Sequence, residues 1–152
     1  MKIPVEIAEE FVVPSHAEVA FALLSDVPRS VRHFPDMHQL VDLGDGVYRW
    51  ELKPLGAAGI SHQVVYASRY VADARARTVR WTPIKGTGNG VIEGRWHIRE
   101  QGQGAAIAFE TRGELEVPVP LLLRAAAKPV VQGLFRQQVQ GYLNNLQRSL
   151  SA

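Results

Sequence analysis

Hydrophobic and polar positions alternate from the start of the chain, where Val5, Ile7, Phe11 and Val13 share one parity and Glu9 is the exception. That period of two predicts a half-buried first strand, and Pro14 stops it. Ser15 then stands three residues before Glu18, the spacing of a capping box at a helix start. The helix expected there buries Val19, Ala22 and Leu23, carries Phe21 and Leu24 on its flank, and ends near Asp26. A second short helix is expected from Pro28 to Phe34, because Asp26 can cap nearby amides and proline fits a first turn. Pro35 closes it.

From Met37 the period becomes two again. A strand to about Leu43, the turn Gly44-Asp45-Gly46 and a strand in VYRWEL predict a hairpin, with Tyr48, Trp50 and Leu52 on one face. Residues 54–59 read as a loop, and Ile60 to Val71 as one long strand whose register stays open, because its apolar residues fall on both faces. Strands follow at Thr78 to Thr82, with Val79 and Trp81 on one side, and around Gly94, Trp96 and Ile98, which share a parity. The clearest alternation sets Ile107, Phe109, Thr111, Gly113, Leu115 and Val117 against Glu110, Arg112, Glu114 and Glu116. One face of that strand is meant for the core and the other for water.

After Pro118 and Pro120 the chain from about Leu121 to Leu150 has helical composition, and Pro129 inside it predicts either two helices or one kinked helix. Val131, Leu134, Phe135, Tyr142, Leu146 and Leu150 return at helical spacing as a buried stripe. Gly141 weakens that helix unless something packs closely there, and the sheet is the expected neighbour.

Strand, helix pair, a run of antiparallel strands and a long final helix leave few economical packings. The expectation is an α+β fold in which one curved antiparallel sheet wraps the C-terminal helix. In FVVPSHAEVAFALLSD, EGRWHIREQGQGAAIAFETRGELEVPVP and RQQVQGYLNNLQRSL the chain resembles the START-like, or SRPBCC, superfamily and its helix-grip fold. Within it the chain is most similar to the polyketide-cyclase and carbon-monoxide-dehydrogenase-subunit-G branches. The resemblance covers essentially the whole chain and implies one START-like ligand-binding domain over residues 1–152. It also implies a cavity for lipids, polyketides, hormones, quinone-like compounds or other apolar molecules, without assigning a reaction.

Composition narrows the chemistry. At 152 residues, 46% hydrophobic and 21% charged, the chain can build a core without disulfides or a structural metal. It has no cysteine, which excludes thiolate nucleophiles, cysteine-held clusters and disulfides. Glu6, Glu9 and Glu10 arrive before a signal-peptide core could form, and no stretch reaches the roughly 20 apolar residues of a membrane span. Cytoplasmic residence is the simplest expectation. The net charge is +2, and the arginines are scattered among strands rather than gathered in a stripe, so no specific nucleic-acid partner is expected.

No local motif carries catalysis. His16, His33, His38, His62 and His97 have no metal-ligand spacing, so no metal site is expected and no cofactor is assigned. There is no GxSxG elbow and no inward carboxylate pair, and GTGNG reads as a flexible connection. Rings on the strands, converging beneath the final helix, either line an apolar pocket, as the resemblance implies, or pack as ordinary core. The pocket's expected wall takes Tyr48, Trp50, Tyr66, Trp81, Trp96 and Phe109 from the sheet, with Thr111 as an inward hydroxyl. Leu134, Phe135 and Tyr142 come from the helix, and His62 is the histidine placed nearest the pocket.

The leading functional expectation is binding or transport of an apolar small molecule. A polyketide-cyclase-like enzyme and a structural or membrane-assembly module are the alternatives, and catalytic residues remain unassigned. Leu121, Leu122 and Leu123 are expected to close the pocket or pack internally; a peripheral membrane or protein contact, with Arg124 and Lys128 beside anionic groups, is the other reading.

Overall fold

The computed structural model describes residues 1–151. Strand β1 (Lys2–Val13) leads into helices α1 (Ala17–Ser25) and α2 (Val27–Val31). Strands β2 (Met37–Gly44), β3 (Val47–Leu52), β4 (Leu55–Ala57), β5 (Ile60–His62) and β6 (Val65–Asp73) follow. Then come β7 (Thr78–Ile84), β8 (Gly90–Gln101) and β9 (Gly104–Glu116), a 3-10 turn at Leu121–Leu123, and the long helix α3 (Arg124–Ser149). Seven strands form one antiparallel sheet in the order β1-β9-β8-β7-β6-β3-β2, while β4 and β5 make a separate pair. The large sheet curves around α3.

Alternation decides which face meets the helices. Ile107, Phe109, Thr111, Leu115 and Val117 are buried, whereas Glu110, Arg112, Glu114 and Glu116 are exposed. On the outer face Arg112 and Arg95 pair between the adjacent strands β9 and β8, with Glu93 at 2.7 Å and Glu110 at 3.3 Å, and Arg99 of β8 reaches over β9 to Glu10 of β1 at 2.5 Å. Such exposed pairs contribute little stability each, but they use the scattered positive charge locally. Gly94 has a specific task on the inner side. A Cβ there would lie 2.5 Å from Cζ2 of Trp81, its cross-strand neighbour, so glycine lets the indole lie down on the sheet.

Several local expectations need correction. Ser15 does not cap α1: His16 holds that position without a side-chain bond, and the Ser15 hydroxyl donates to the Leu150 carbonyl at 2.5 Å. Glu18, free of a capping box, accepts from Arg77 at 2.7 Å. The buried face of α1 is Ala17, Ala20, Leu23 and Leu24, which leaves Val19 and Ala22 exposed. Asp26 does cap α2, accepting from the Arg29 amide at 3.2 Å.

The long strand expected over Ile60–Val71 is broken between His62 and Val65. Asn89, from the glycine-rich connection before β8, holds the break: its Oδ1 accepts from Val65 N at 2.9 Å and its Nδ2 donates to the Gln63 carbonyl at 2.6 Å. The GTGNG connection therefore has a structural role. Pro129 neither splits nor ends α3, because it lies on the exposed side close to the helix start, where the orphaned Ala125 carbonyl is also at the surface. Gly141 packs on Pro35 rather than on the sheet, and a Cβ there would sit 2.9 Å from Pro35 Cγ. Leu121 and Leu122 do not close the pocket, being 78% and 95% exposed, while Leu123 packs inward near Gly59.

Candidate functional site

Beneath α3 the concave sheet presents rings in successive layers. Trp50 of β3 stacks on Tyr66 of β6 with ring centres 5.6 Å apart and planes 15° from parallel. Trp96 and Phe109, paired across β8 and β9, lie 4.6 Å apart, and Trp81 reaches Phe109 at 5.9 Å. Phe34, three residues past α2, packs T-shaped with Trp50 at 5.6 Å, and Tyr142 of α3 meets Trp96 at 6.2 Å. Phe135, Val139 and Tyr142 recur at helical spacing, so one face of α3 supplies the opposite wall.

These groups enclose a cavity with about 40 Å³ of space for water-sized occupants. At roughly 10–15 Å³ for each water, that is room for a few waters. It is about tenfold below the roughly 300–1,000 Å³ of sites that hold drug-sized ligands. The structure is therefore a closed form, in which the rings largely fill their own pocket.

Polar groups on the wall are few. The Ser30 and Tyr142 hydroxyls are hydrogen-bonded to each other, and Thr111 donates from Oγ1 to the Glu93 carbonyl at 3.3 Å. Burial pushes the phenols of Tyr66, Tyr70 and Tyr142 well above their ordinary value. Ser30 holds back part of the rise at Tyr142, because its hydrogen bond favours the charged form. All three phenols are consequently neutral near pH 7. The Trp50 indole nitrogen is buried and has no hydrogen-bond partner. An orphaned buried donor costs about 1–3 kcal/mol.

Of the expected site residues, the structure brings together Trp50, Tyr66, Trp81 and Trp96 on the wall, with Phe109, Thr111, Phe135 and Tyr142. Tyr48, His62 and Leu134 stand outside it. Tyr48 packs edge-on against Tyr70 at 5.9 Å and borders an external groove beyond Val31 and Phe34. His62 lies on the small β4–β5 pair, opposite Leu55, because Asn89 breaks the strand that would have carried it into the sheet. It is buried with neither ring nitrogen bonded, and desolvation lowers its pKa, which favours the neutral ring. Leu134 is half-buried, one position off the face that Phe135, Val139 and Tyr142 present.

Sequence reasoning missed the contribution of α1, α2 and the residues just after them: Leu24, Val27, Ser30, Val31 and Phe34 all line the cavity. The signal was present, since Val27, Ser30, Val31 and Phe34 fall at helical spacing with one small polar residue among apolar ones. Tyr70, another of the sheet's inward rings, also lines the cavity, paired opposite Trp81.

A curved antiparallel sheet gripping a C-terminal helix, with a ring-lined cavity between them, is the helix-grip fold. The chain belongs to the family described as polyketide cyclase / dehydrase and lipid transport, whose model matches residues 4–151. Solved structures agree on the fold. A START superfamily protein from Mycobacterium smegmatis aligns with a TM-score of 0.71 at 15% identity, covering 95% of this chain and 96% of its own. The ZhuI aromatase/cyclase from Streptomyces sp. R1128 aligns at 0.69 with 14% identity, covering 97% and 93% of the two chains. The major latex-like protein 151 of Panax ginseng aligns at 0.61 with 12% identity, covering 97% and 98%. No curated protein matches the sequence. Among the described residues no helix is long and apolar enough to cross a membrane, and no cluster of three or more histidine or acidic side chains could hold a metal ion.

Proposed function

We propose that this protein reversibly binds or carries an apolar small molecule between the sheet and α3. The observation that carries this reading is the chemistry of the wall. It is built of aromatic and aliphatic side chains with a few neutral hydroxyl and indole groups. Apolar contact then supplies affinity, at about 25 cal/mol per Å² before ordering costs, and the neutral polar groups set orientation. The family's description includes lipid transport, and one structural neighbour is an aromatase/cyclase. Cyclisation needs a group that accepts a proton from carbon. Among the described residues the wall carries no carboxylate, histidine or lysine to serve as that base, which supports binding as the reading.

A ligand larger than a few waters requires the closed form to open. Val31 and Phe34 line both the cavity and an external groove of about 480 Å³ rimmed by Arg32, His38 and Asp42. Those two side chains belong to both walls, so displacing them would join the two spaces.

Native mass spectrometry of protein purified without detergent, followed by a screen of hydrophobic compounds, tests the reading. It predicts one small apolar molecule per chain, released on denaturation. A bare chain that takes up no compound from the screen contradicts it.

A further inference from the structure

Three residues of the described chain carry buried side-chain atoms without a hydrogen-bond partner: Trp50, His62 and Gln138. Of these, Trp50 lines the cavity. Tyr66 stacks on its indole at 15°, while Phe34 and Tyr142 stand nearly perpendicular to it at 85° and 83°, so three rings fix its plane. The Tyr70 hydroxyl is near enough for the indole to favour its ionised form, yet the two do not reach hydrogen-bonding geometry. A donor without a partner thus sits beside a phenol, on a ring that lines a largely hydrocarbon cavity.

We infer that Trp50 determines how the ligand is oriented and which ligands are chosen, its Nε1–H donating to an acceptor oxygen on an otherwise apolar, flat molecule. This rests on the binding reading above and narrows it from any hydrophobe to one bearing a carbonyl, ether or hydroxyl oxygen at the Trp50 end. The neighbouring aromatic faces suit a planar skeleton. A molecule with no acceptor leaves the indole nitrogen as bare as it is in the closed form, whereas one with an oxygen there satisfies a donor that has already been desolvated.

The test uses two compounds of nearly the same shape, 2-acetylnaphthalene and 2-ethylnaphthalene, which differ by a carbonyl in place of a methylene. Both are titrated into the wild-type chain and into Trp50→Phe by displacement of the fluorescent probe N-phenyl-1-naphthylamine. The ratio of ketone to hydrocarbon affinity is expected to fall about fivefold in Trp50→Phe, with the hydrocarbon little changed. In parallel, the Trp50 indole N–H resonance of the wild-type protein is expected to move downfield with the ketone and not with the hydrocarbon, a readout that does not depend on the variant folding. If both compounds bind with the ratio unchanged and the indole resonance responds equally to each, the Trp50 assignment is overturned and the binding reading stands. If neither compound nor the probe binds the wild-type chain, the binding reading itself fails, and the assignment with it.

Discussion

The hydroxyls of Ser30 and Tyr142 meet over the cavity and hydrogen-bond α2 to α3 across 112 positions of sequence. Two further bonds reinforce the seam: Asn145 Nδ2 donates to the His33 carbonyl at 2.8 Å, and His33 Nε2 lies 2.8 Å from the Ser149 hydroxyl. Pro35 seated on Gly141 completes it. A five-residue helix too short to be stable alone is held in place by what it touches.

Removing both partners of the buried hydroxyl pair should cost less than the two single removals added together. Ser30→Ala and Tyr142→Phe are each expected to lower stability by about 1–3 kcal/mol, since each leaves the other hydroxyl without its partner. The double variant should fall short of the sum, and urea unfolding of the four proteins measures the difference. Strict additivity would contradict a direct hydrogen bond.

Phe34 stands in the barrier between cavity and groove. Phe34→Ala should therefore speed both uptake and release of N-phenyl-1-naphthylamine severalfold in stopped-flow measurements, with a smaller change in the equilibrium constant. It should also destabilise the fold by about 3–5 kcal/mol, as a core phenylalanine truncation does. Unchanged rates in a folded variant would place the entrance elsewhere.

His62 ties stability to pH. Burial lowers its folded pKa below the ordinary 6.5, so the unfolded chain binds its proton more readily. Its contribution is complete above about pH 6.5 and is lost as pH falls through the lowered folded value. His62→Leu, which removes two unbonded nitrogens, should leave stability at pH 7 equal or higher and flatten its decline on the acid side. Thermal melts from pH 7.5 to 5 check this, and an undiminished acid slope in the variant would refute it.

How far the molecule could be read in advance follows from which residues report locally. Phe109 and Thr111 against Glu110 and Arg112 show the core face of β9 in the sequence itself, because a period of two assigns sides without reference to any other strand. The same logic placed Trp50, Trp81 and Trp96 on the cavity wall. It failed at His62, where a side chain from Asn89 breaks the strand; apolar residues on both faces of residues 60–71 left the register open without locating the break. Ser15 misled because its spacing to Glu18 fits a capping box, while the acceptor it takes, the Leu150 carbonyl, is 135 residues away. Parity could orient the walls but not measure the gap between them. That gap is set by how Trp50, Phe34 and Tyr142 interlock, a property of three elements distant in sequence.

Val139 faces the cavity from α3, and a larger side chain there takes the space a ligand needs. Titration of N-phenyl-1-naphthylamine into the wild-type protein and into Val139→Phe therefore tests the central claim, with near-ultraviolet circular dichroism to confirm that the variant is folded. The account predicts a saturable fluorescence rise at one probe per chain in the wild type and its loss, or a weakening of at least about tenfold, in the folded variant. Absence of saturable uptake by the wild type, or uptake undiminished in Val139→Phe, would contradict a ligand site between the sheet and α3.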